Sequence, residues 1–357
     1  MPNLYHHSVR VILSHQHPGG GYLASPAFPD YRYCWFRDGS FIAYAMDLAG
    51  ERDSARQFHD WCVRVINQRS PVIERAIDKA RRGEALSETD YLHTRYTLAG
   101  LEGDDAAWPN FQLDGLGTWL WALGEHAHLT GLGALPPAWQ TAAVLVAHYL
   151  TALWRLPCYD CWEEFGDHLH PYTLAAIYGG LRALSSLGLG EEWEEVPAAI
   201  RAFVTAQGVR DGRLIKSIGN YAVDANLIGV ATPHRLLEPG DPLMRATVAC
   251  IEAELRLGDG GVHRYAADTY YGGGEWVLLT AWLGWYYAEI TELAKARETL
   301  DWIEEQADEQ GDLPEQMPRT LTDPHYLDVW RRQRGEIARP LLWSHAKYII
   351  LRHQLLG

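Results

Sequence analysis

The chain has 357 residues, 47% of them hydrophobic and 22% charged, with a formal net charge of −15 at pH 7; this is the composition of a globular protein large enough for one big core or two domains. The negative sign argues against a nucleic-acid or anionic-membrane partner, both of which attract positive charge, and no stretch approaches the roughly 18 uninterrupted apolar residues of a membrane span. The 15 Trp and 19 Tyr exceed what packing requires, and aromatic faces suit the apolar C–H faces of sugar rings.

The first twenty residues contain no apolar run of signal-peptide length and no small-residue cleavage pattern, so the expected compartment is the cytoplasm. Five cysteines, Cys34, Cys62, Cys158, Cys161 and Cys250, are odd in number and widely spread, which suits reduced thiols. Residues 11–30 alternate weakly and then become Gly- and Pro-rich, predicting loops or a short β-hairpin. Arg37 and Asp38 stand where that loop gives way to FIAYAMDLAG (41–50), the start of an apolar-periodic helix. Such a pair either points into a pocket from a firm base or is a helix cap beside a solvated arginine. SARQFHDWCVRVINQR (54–69) reads as an amphipathic helix. Residues 70–105 are polar, charged and patternless between short helical pieces, the signature of a long excursion over one mouth of the domain. Within it, the segment Tyr91 to Tyr96 offers aromatic and basic groups to a substrate. A loop from Trp108 to Phe111 runs into the next helix, where Asp114 either caps the helix or binds a sugar hydroxyl, capping being the simpler view. Further helices are expected over 138–154, 170–187, 192–205, 223–230, 241–257, 275–290, 291–308 and 341–355, joined by Gly- and Pro-bearing connections. Strand signals hardly appear. Repeated helix, connection, helix units suit one all-α domain spanning 1–357, a closed double ring whose loops converge on a pocket at one end.

The chemistry centres on PCYDCWEEFGDHLHPYT (157–173), where Trp162 precedes two adjacent carboxylates, Glu163 and Glu164, between two apolar runs. Adjacent residues do not share a helix face, so only one glutamate can aim fully at a common point. A further carboxylate, Glu315, sits after a proline in DLPEQ, far downstream. Two carboxylates across an aromatic-rich pocket are what a glycosidase needs, one protonated to serve the leaving oxygen and one ionised to activate water or attack. Trp-Glu-Glu alone is weak, since acidic pairs are common on solvated surfaces. Cys158-x-x-Cys161 with His168 and His170 has a zinc-like spacing but lacks tight-turn glycines, and the chemistry needs no metal; no metal or cofactor is expected. GDGGVHRY (258–265) lacks the lysine and the strand-loop-helix setting of a phosphate loop. His6-His7 and His15-x-His17 read as ordinary polar residues.

Several separated segments, in order, resemble the glucoamylase family, glycoside hydrolase family 15: DYRYCWFRDGSF (30–41), NFQLDGLG (110–117), YDCWEEF (159–165), VHRYAADTYYGGGEW (262–276), and LPEQ (313–316) followed by LLWSHAKYI (341–349). The resemblance covers nearly the whole chain and implies an (α/α)6 barrel, here without the N-terminal β-sandwich or starch-binding module of many relatives. It implies Glu163 as general acid, in aromatic surroundings that raise its pKa, and Glu315 as general base. For inversion the two carboxyls should stand roughly 6.5–9.5 Å apart, room for the attacking water. It also implies substrate contacts from Arg37, Asp38, Trp108, Gln112, Asp114, Trp162, Glu164 and Arg264, with Asp268 supporting Arg264 and Trp343 either a sugar platform or a core residue. The implied activity is exo removal of single glucose units by an inverting α-glucosidase, from a small neutral gluco-oligosaccharide. Without an export signal or binding module, isomaltose and short α-1,6-glucooligosaccharides lead, then α-1,4-maltooligosaccharides, then trehalose. The protein would be a monomer or small homo-oligomer. A sugar phosphorylase would require phosphate for glucose release. A non-catalytic sugar-binding barrel would require Glu163 or Glu315 to lie away from the pocket.

Overall fold

The computed structural model describes residues 3–103 and 108–356. Thirteen α-helices are described: α1 (Leu4–Ser14), α2 (Phe36–Leu48), α3 (Arg52–Gln68), α4 (Ser70–Arg81), α5 (Asp114–Thr130), α6 (Pro137–Leu153), α7 (Pro171–Ser186), α8 (Glu195–Gln207), α9 (Pro242–Leu255), α10 (Val277–Glu289), α11 (Leu293–Glu304), α12 (His325–Arg334) and α13 (Leu342–Leu356). Six of the packing partnerships close a ring: α2 on α5, α5 on α7, α7 on the 3₁₀ segment Ala225–Val230, that segment on α10, α10 on α13, and α13 back on α2. Outside it α3, α6, α8, α9, α11 and α1 pack against the inner elements. The architecture is the expected (α/α)6 barrel.

The two rings differ in sequence because they differ in surroundings. Inner helices have protein on every side, so α10 is buried from Val277 to Tyr287 and α7 from Pro171 to Leu181, and both are apolar all round. An outer helix such as α3 buries only one stripe, including Ala55, Phe58, Trp61, Cys62, Val65 and Ile66. At the crossing of α5 and α7 the backbones nearly touch: a Cβ on Gly180 would fall 2.4 Å from the Gly117 carbonyl oxygen, so only glycine fits there.

The fourth inner position is a six-residue 3₁₀ segment rather than the helix expected over 223–230. It begins on Asp224, whose carboxylate accepts from the Asn226 amide at 2.9 Å, and a Cβ on Gly229 would strike the Tyr172 ring at 2.5 Å. Two other expectations change, and a third difference is a helix the sequence did not announce. Residues 11–14 belong to α1, capped by the Asn3 side chain accepting from the Tyr5 amide at 3.0 Å, so the predicted loop or hairpin starts later and keeps only the Gln16–Tyr22 bridge. Residues 70–81 form α4, whose Ile73, Ala76 and Ile77 are buried and which packs on α6; the irregular stretch is correspondingly shorter. The third is α12, which buries no residue and so lacks the apolar stripe that would announce it.

The inner elements run in one direction, so their N-terminal ends share one end of the barrel. Two short antiparallel ladders brace that end. Cys34–Trp35 pairs with Arg95–Tyr96 just before α2, and Glu275–Trp276 pairs with Gln316–Met317 just before α10.

Candidate active site

The loops before the inner elements enclose a pocket of about 310 Å³, lined by Tyr31, Trp35, Arg37, Asp38, Trp108, Trp162, Glu163, Glu164, Arg264, Tyr270, Trp276, Glu315, Trp330 and Trp343 among others. Glu163 and Glu315 therefore face the same space.

Arg37 and Asp38 occupy the first turn of α2 and are 6% and 7% exposed. The Arg37 Nε lies 3.2 Å from Asp38 Oδ2 and its Nη1 3.5 Å from Asp114 Oδ2, while Nη1 also donates to Gln112 Oε1 at 3.1 Å. Burial opposes the charge of Arg37, but the Asp38 and Asp114 carboxylates together more than offset it and raise its pKa. Burial likewise pushes both aspartates up and the guanidinium draws them back; the ion pairs persist because the guanidinium keeps its charge. Removing Arg37 would strand two buried carboxylates, at about 3–5 kcal/mol for a broken buried pair. Neither Gln112 nor Asp114 belongs to the pocket wall; both stand behind Arg37.

The loop carrying Glu163 is organised by Asp160. Its carboxylate accepts from the amides of Trp162 (2.9 Å) and Glu164 (3.0 Å), its amide donates to the Glu164 carbonyl (2.9 Å), and its carbonyl accepts from the Glu163 amide (2.9 Å). This turn holds Glu163 at φ 68° and Phe165 at φ 53°, left-handed values that non-glycine residues adopt at a cost. The adjacent glutamates thereby diverge. Glu163 Oε1 accepts from the Trp35 indole N–H at 2.6 Å. Glu164 turns the other way, accepting from the Tyr265 hydroxyl at 2.5 Å, with Arg264 Nη2 at 3.4 Å. Burial raises the pKa of Glu163, against the pull of Arg37 and the Trp35 hydrogen bond. The loop's foundation is Asp224, bonded by Lys216 and by the Trp162 indole N–H at 3.1 Å. His170 Nε2 meets the carbonyls of Cys158 (3.0 Å) and Phe165 (3.1 Å), while its Nδ1 is buried without a partner, and His168 pairs with Asp167 at 2.6 Å; the contacts of both histidines lie within their own loop.

On the opposite wall Arg264 makes a two-point pair with Asp268, through Nε at 2.7 Å and through Nη2. Its guanidinium carbon lies 5.2–5.4 Å from the Trp276, Tyr270 and Trp162 ring centres. Asp268 is 1% exposed, behind the arginine. Glu315 is fixed by its backbone: its amide donates to the Ala338 carbonyl at 2.9 Å and its carbonyl accepts from the Val277 amide at 3.3 Å. Its Oε1 accepts from the Tyr31 hydroxyl at 2.8 Å, and that hydroxyl also meets the Tyr270 hydroxyl at 2.9 Å. Oε2 is buried with no protein partner. Burial pushes Glu315 up to about 8, with Tyr31 and Arg264 pulling the other way. Trp343 lies on the pocket wall, stacked on Phe41 at 5.8 Å, with Arg37 5.1 Å from its ring centre. Trp108 reaches the pocket with Arg95 packed on its outer face at 3.4 Å; residues 91–96 themselves are not in its lining.

The family model for glycosyl hydrolases family 15 matches residues 2–353. The chain belongs to that family. It is 43% identical, over 99% of its length and 92% of the relative's, to the isomaltose glucohydrolase of Kribbella flavida. A glycosidase variant solved in complex with glucose superposes with a TM-score of 0.94 at 42% identity, covering 99% of this chain and 96% of that one. A bacterial glucoamylase complexed with acarbose, 18% identical, shares the fold at a TM-score of 0.77, covering 99% of this chain and 55% of that one. The protein is thus a glycoside hydrolase, and no helix of its described residues is long and apolar enough to cross a membrane.

Several residues of this family 15 site escape a reading by motif. Tyr31 and Trp35 precede the Arg-Asp pair in DYRYCWFRD, and their aromatic density was a usable signal. Asp160 was legible too, as an Asx-turn residue before the glutamates. Lys216 and Asp224 carry no local signal, because their value is buried pairing across 56 residues, from Lys216 to Asp160, and across 62, from Asp224 to Trp162. Trp330 and Arg334 come from α12; Arg334 is tied to Asp30 at 2.6 Å across the rim.

Proposed function

We propose that this family 15 hydrolase is an inverting, exo-acting α-glucosidase that releases β-glucose from the non-reducing end of isomaltose or short α-1,6-glucooligosaccharides in the cytoplasm. The observation that carries the reading is the pair Glu163 and Glu315 on one pocket, each with one carboxyl oxygen held by an aromatic donor and the other left for chemistry. The linkage is carried over from the Kribbella flavida relative, an isomaltose glucohydrolase.

An indole N–H can only donate, so Glu163 Oε1 is the acceptor oxygen and the acid proton belongs on Oε2. Glu163 passes that proton to the glycosidic oxygen as the C1–O bond breaks. Glu315 Oε2 takes a proton from the water that attacks C1 from the opposite face, giving β-glucose and the free alcohol. The base must be ionised, whereas burial favours its protonated form. The bound water donates to Oε2 and so lowers that pKa again, as hydrogen bonding to a carboxylate does.

Arg37 and Asp38 grip hydroxyls of the terminal glucose from the floor, Arg264 and Glu164 those nearer the scissile bond, and Trp343, Trp162 and Trp108 offer apolar faces. Gln112, Asp114 and Asp268 act through the arginines they hold. The test is proton NMR of the first product from isomaltose, maltose and trehalose in phosphate-free buffer. β-Glucose should appear in excess of its equilibrium share before mutarotation, fastest from isomaltose; trehalose, whose second glucose leaves as the α-anomer, is read for rate alone. An initial excess of α-glucose from isomaltose or maltose would overturn inversion, a faster rate on trehalose would overturn the linkage, and a requirement for phosphate would select a phosphorylase.

A further inference from the structure

At the barrel end away from the pocket, three buried side chains from three helices converge. Asp47 lies in the last turn of α2, about 15 Å along that helix from Arg37 at 1.5 Å per residue; His59 lies on α3 and His126 toward the end of α5. One oxygen or nitrogen from each lies within 4.8 Å of the other two. Their exposures are 5%, 0% and 3%. The Asp47 carboxylate brackets His126 Nδ1, with both oxygens at 2.9 Å. His59 differs: neither of its ring nitrogens has a partner, although its ring centre is only 5.0 Å from that of His126. Trp139 closes the far side, 5.5 Å from His59 and 5.6 Å from His126, and its own N–H is occupied by Asp60 at 2.7 Å.

Buried polar groups are normally paired, and the idle nitrogens of His59, beside a carboxylate and a second imidazole, would be satisfied by a cation that takes lone pairs from all three. We propose that Asp47, His59 and His126 form a binding site for a divalent ion of the zinc class. Two imidazoles and a carboxylate are the donors that zinc accepts, and a fourth position is left for water or the second Asp47 oxygen. Zinc bonds of about 2.0–2.1 Å put tetrahedral ligand atoms roughly 3.3 Å apart, a closure within reach of side-chain rotation. Asp47 and His126 also lie toward the C-terminal ends of α2 and α5, where the carbonyl ends of helices favour positive charge. The ion would clamp two inner helices to one outer helix; its distance from the pocket makes it structural.

The measurement uses untagged enzyme, stripped with chelator and dialysed, then titrated with zinc alone. One ion per chain should bind, and free zinc at a hundredfold excess over Kd should raise the folded-to-unfolded ratio about a hundredfold, seen as a higher Tm. His59→Phe, which fills the same space, and Asp47→Asn should each lose the ion and the Tm gain while hydrolysing isomaltose as before. X-ray absorption of the zinc-loaded wild type should show an all nitrogen and oxygen shell with two imidazoles, a result that does not depend on any variant folding. Failure to bind one ion per chain, wild-type affinity in either variant, or sulfur in the shell, which would place the ion at Cys158 and Cys161, each overturns the site.

Discussion

The two walls of the pocket are built on one plan and differ in one chemical detail. Each sets a glutamate beside an arginine with buried carboxylate partners, Glu163 near Arg37 and Glu315 near Arg264, and each ties one glutamate oxygen to an aromatic donor. On the Glu163 wall the donor is an indole N–H, which has nothing to accept. On the Glu315 wall it is the Tyr31 hydroxyl, itself hydrogen-bonded to that of Tyr270, and a hydroxyl both donates and accepts. A fixed donor pins a proton to the other oxygen, as a general acid needs. A hydroxyl in a chain can adjust as the carboxyl changes state, which suits a base that gains a proton in each cycle.

The sharpest way to break this comparison is to neutralise each glutamate. Glu163→Gln and Glu315→Gln should each lower the rate on isomaltose at least the roughly 100-fold typical of a lost acid or base. They should separate on α-glucosyl fluoride, whose leaving group needs little protonation: Glu315→Gln loses as much as before and Glu163→Gln loses less. If Glu163→Gln damages both substrates equally while Glu164→Gln spares the fluoride, the acid is Glu164 and the walls have been misassigned.

The donors come next. Tyr31 lowers the Glu315 pKa, so Tyr31→Phe should raise it; the base then ionises only at higher pH and the acidic limb of the rate profile moves up. Trp35 lowers the Glu163 pKa, so Trp35→Phe should raise it; the acid stays protonated longer and the alkaline limb moves up. A variant moving the wrong limb would exchange the two roles.

A smaller effect distinguishes the walls through stability. The folded-state pKa of Glu315, about 8, lies above its ordinary value of 4.5, so the folded state holds the proton more tightly than the unfolded chain. Stability then falls as pH rises from about 4.5 to about 8 and stays lower above that. Glu315→Gln, which cannot ionise, should melt higher than wild type at alkaline pH and show no such gain below pH 4.5; an equal Tm difference at every pH would count against the buried charge. The smallest expected effect is none: chelator should leave the rate on isomaltose unchanged, because the proposed chemistry needs only carboxylates and water.

The inner and outer helices were legible because burial on all sides and burial on one face leave different patterns, as α10 and α3 illustrate. Helices that pack little, such as α12, leave none. Residues 70–81 had a stripe in Ile73, Ala76 and Ile77 that the surrounding charge obscured. Within the site, the glutamates and arginines could be found by motif, but which residues stand in the pocket and which stand behind could not. Gln112 and Asp114 look from sequence like substrate contacts because they share a motif that lies near Arg37, whereas Asp268 stands behind Arg264 as its motif implies; that the first two lie behind the pocket wall is a property of packing. Asp224 and Lys216 matter only through partners remote in sequence, and such pairs have no period or spacing to betray them.

The left-handed backbone at Glu163 has a consequence for how this enzyme can change. Glycine adopts that conformation freely, so Glu163→Gly removes the backbone cost of the left-handed turn, and it also removes the carboxyl proposed as the acid. Random selection for thermal stability alone should therefore drift toward inactive chains at this codon, and ancestral or consensus stabilisation would have to look elsewhere in the molecule. Here stability and turnover compete for one residue.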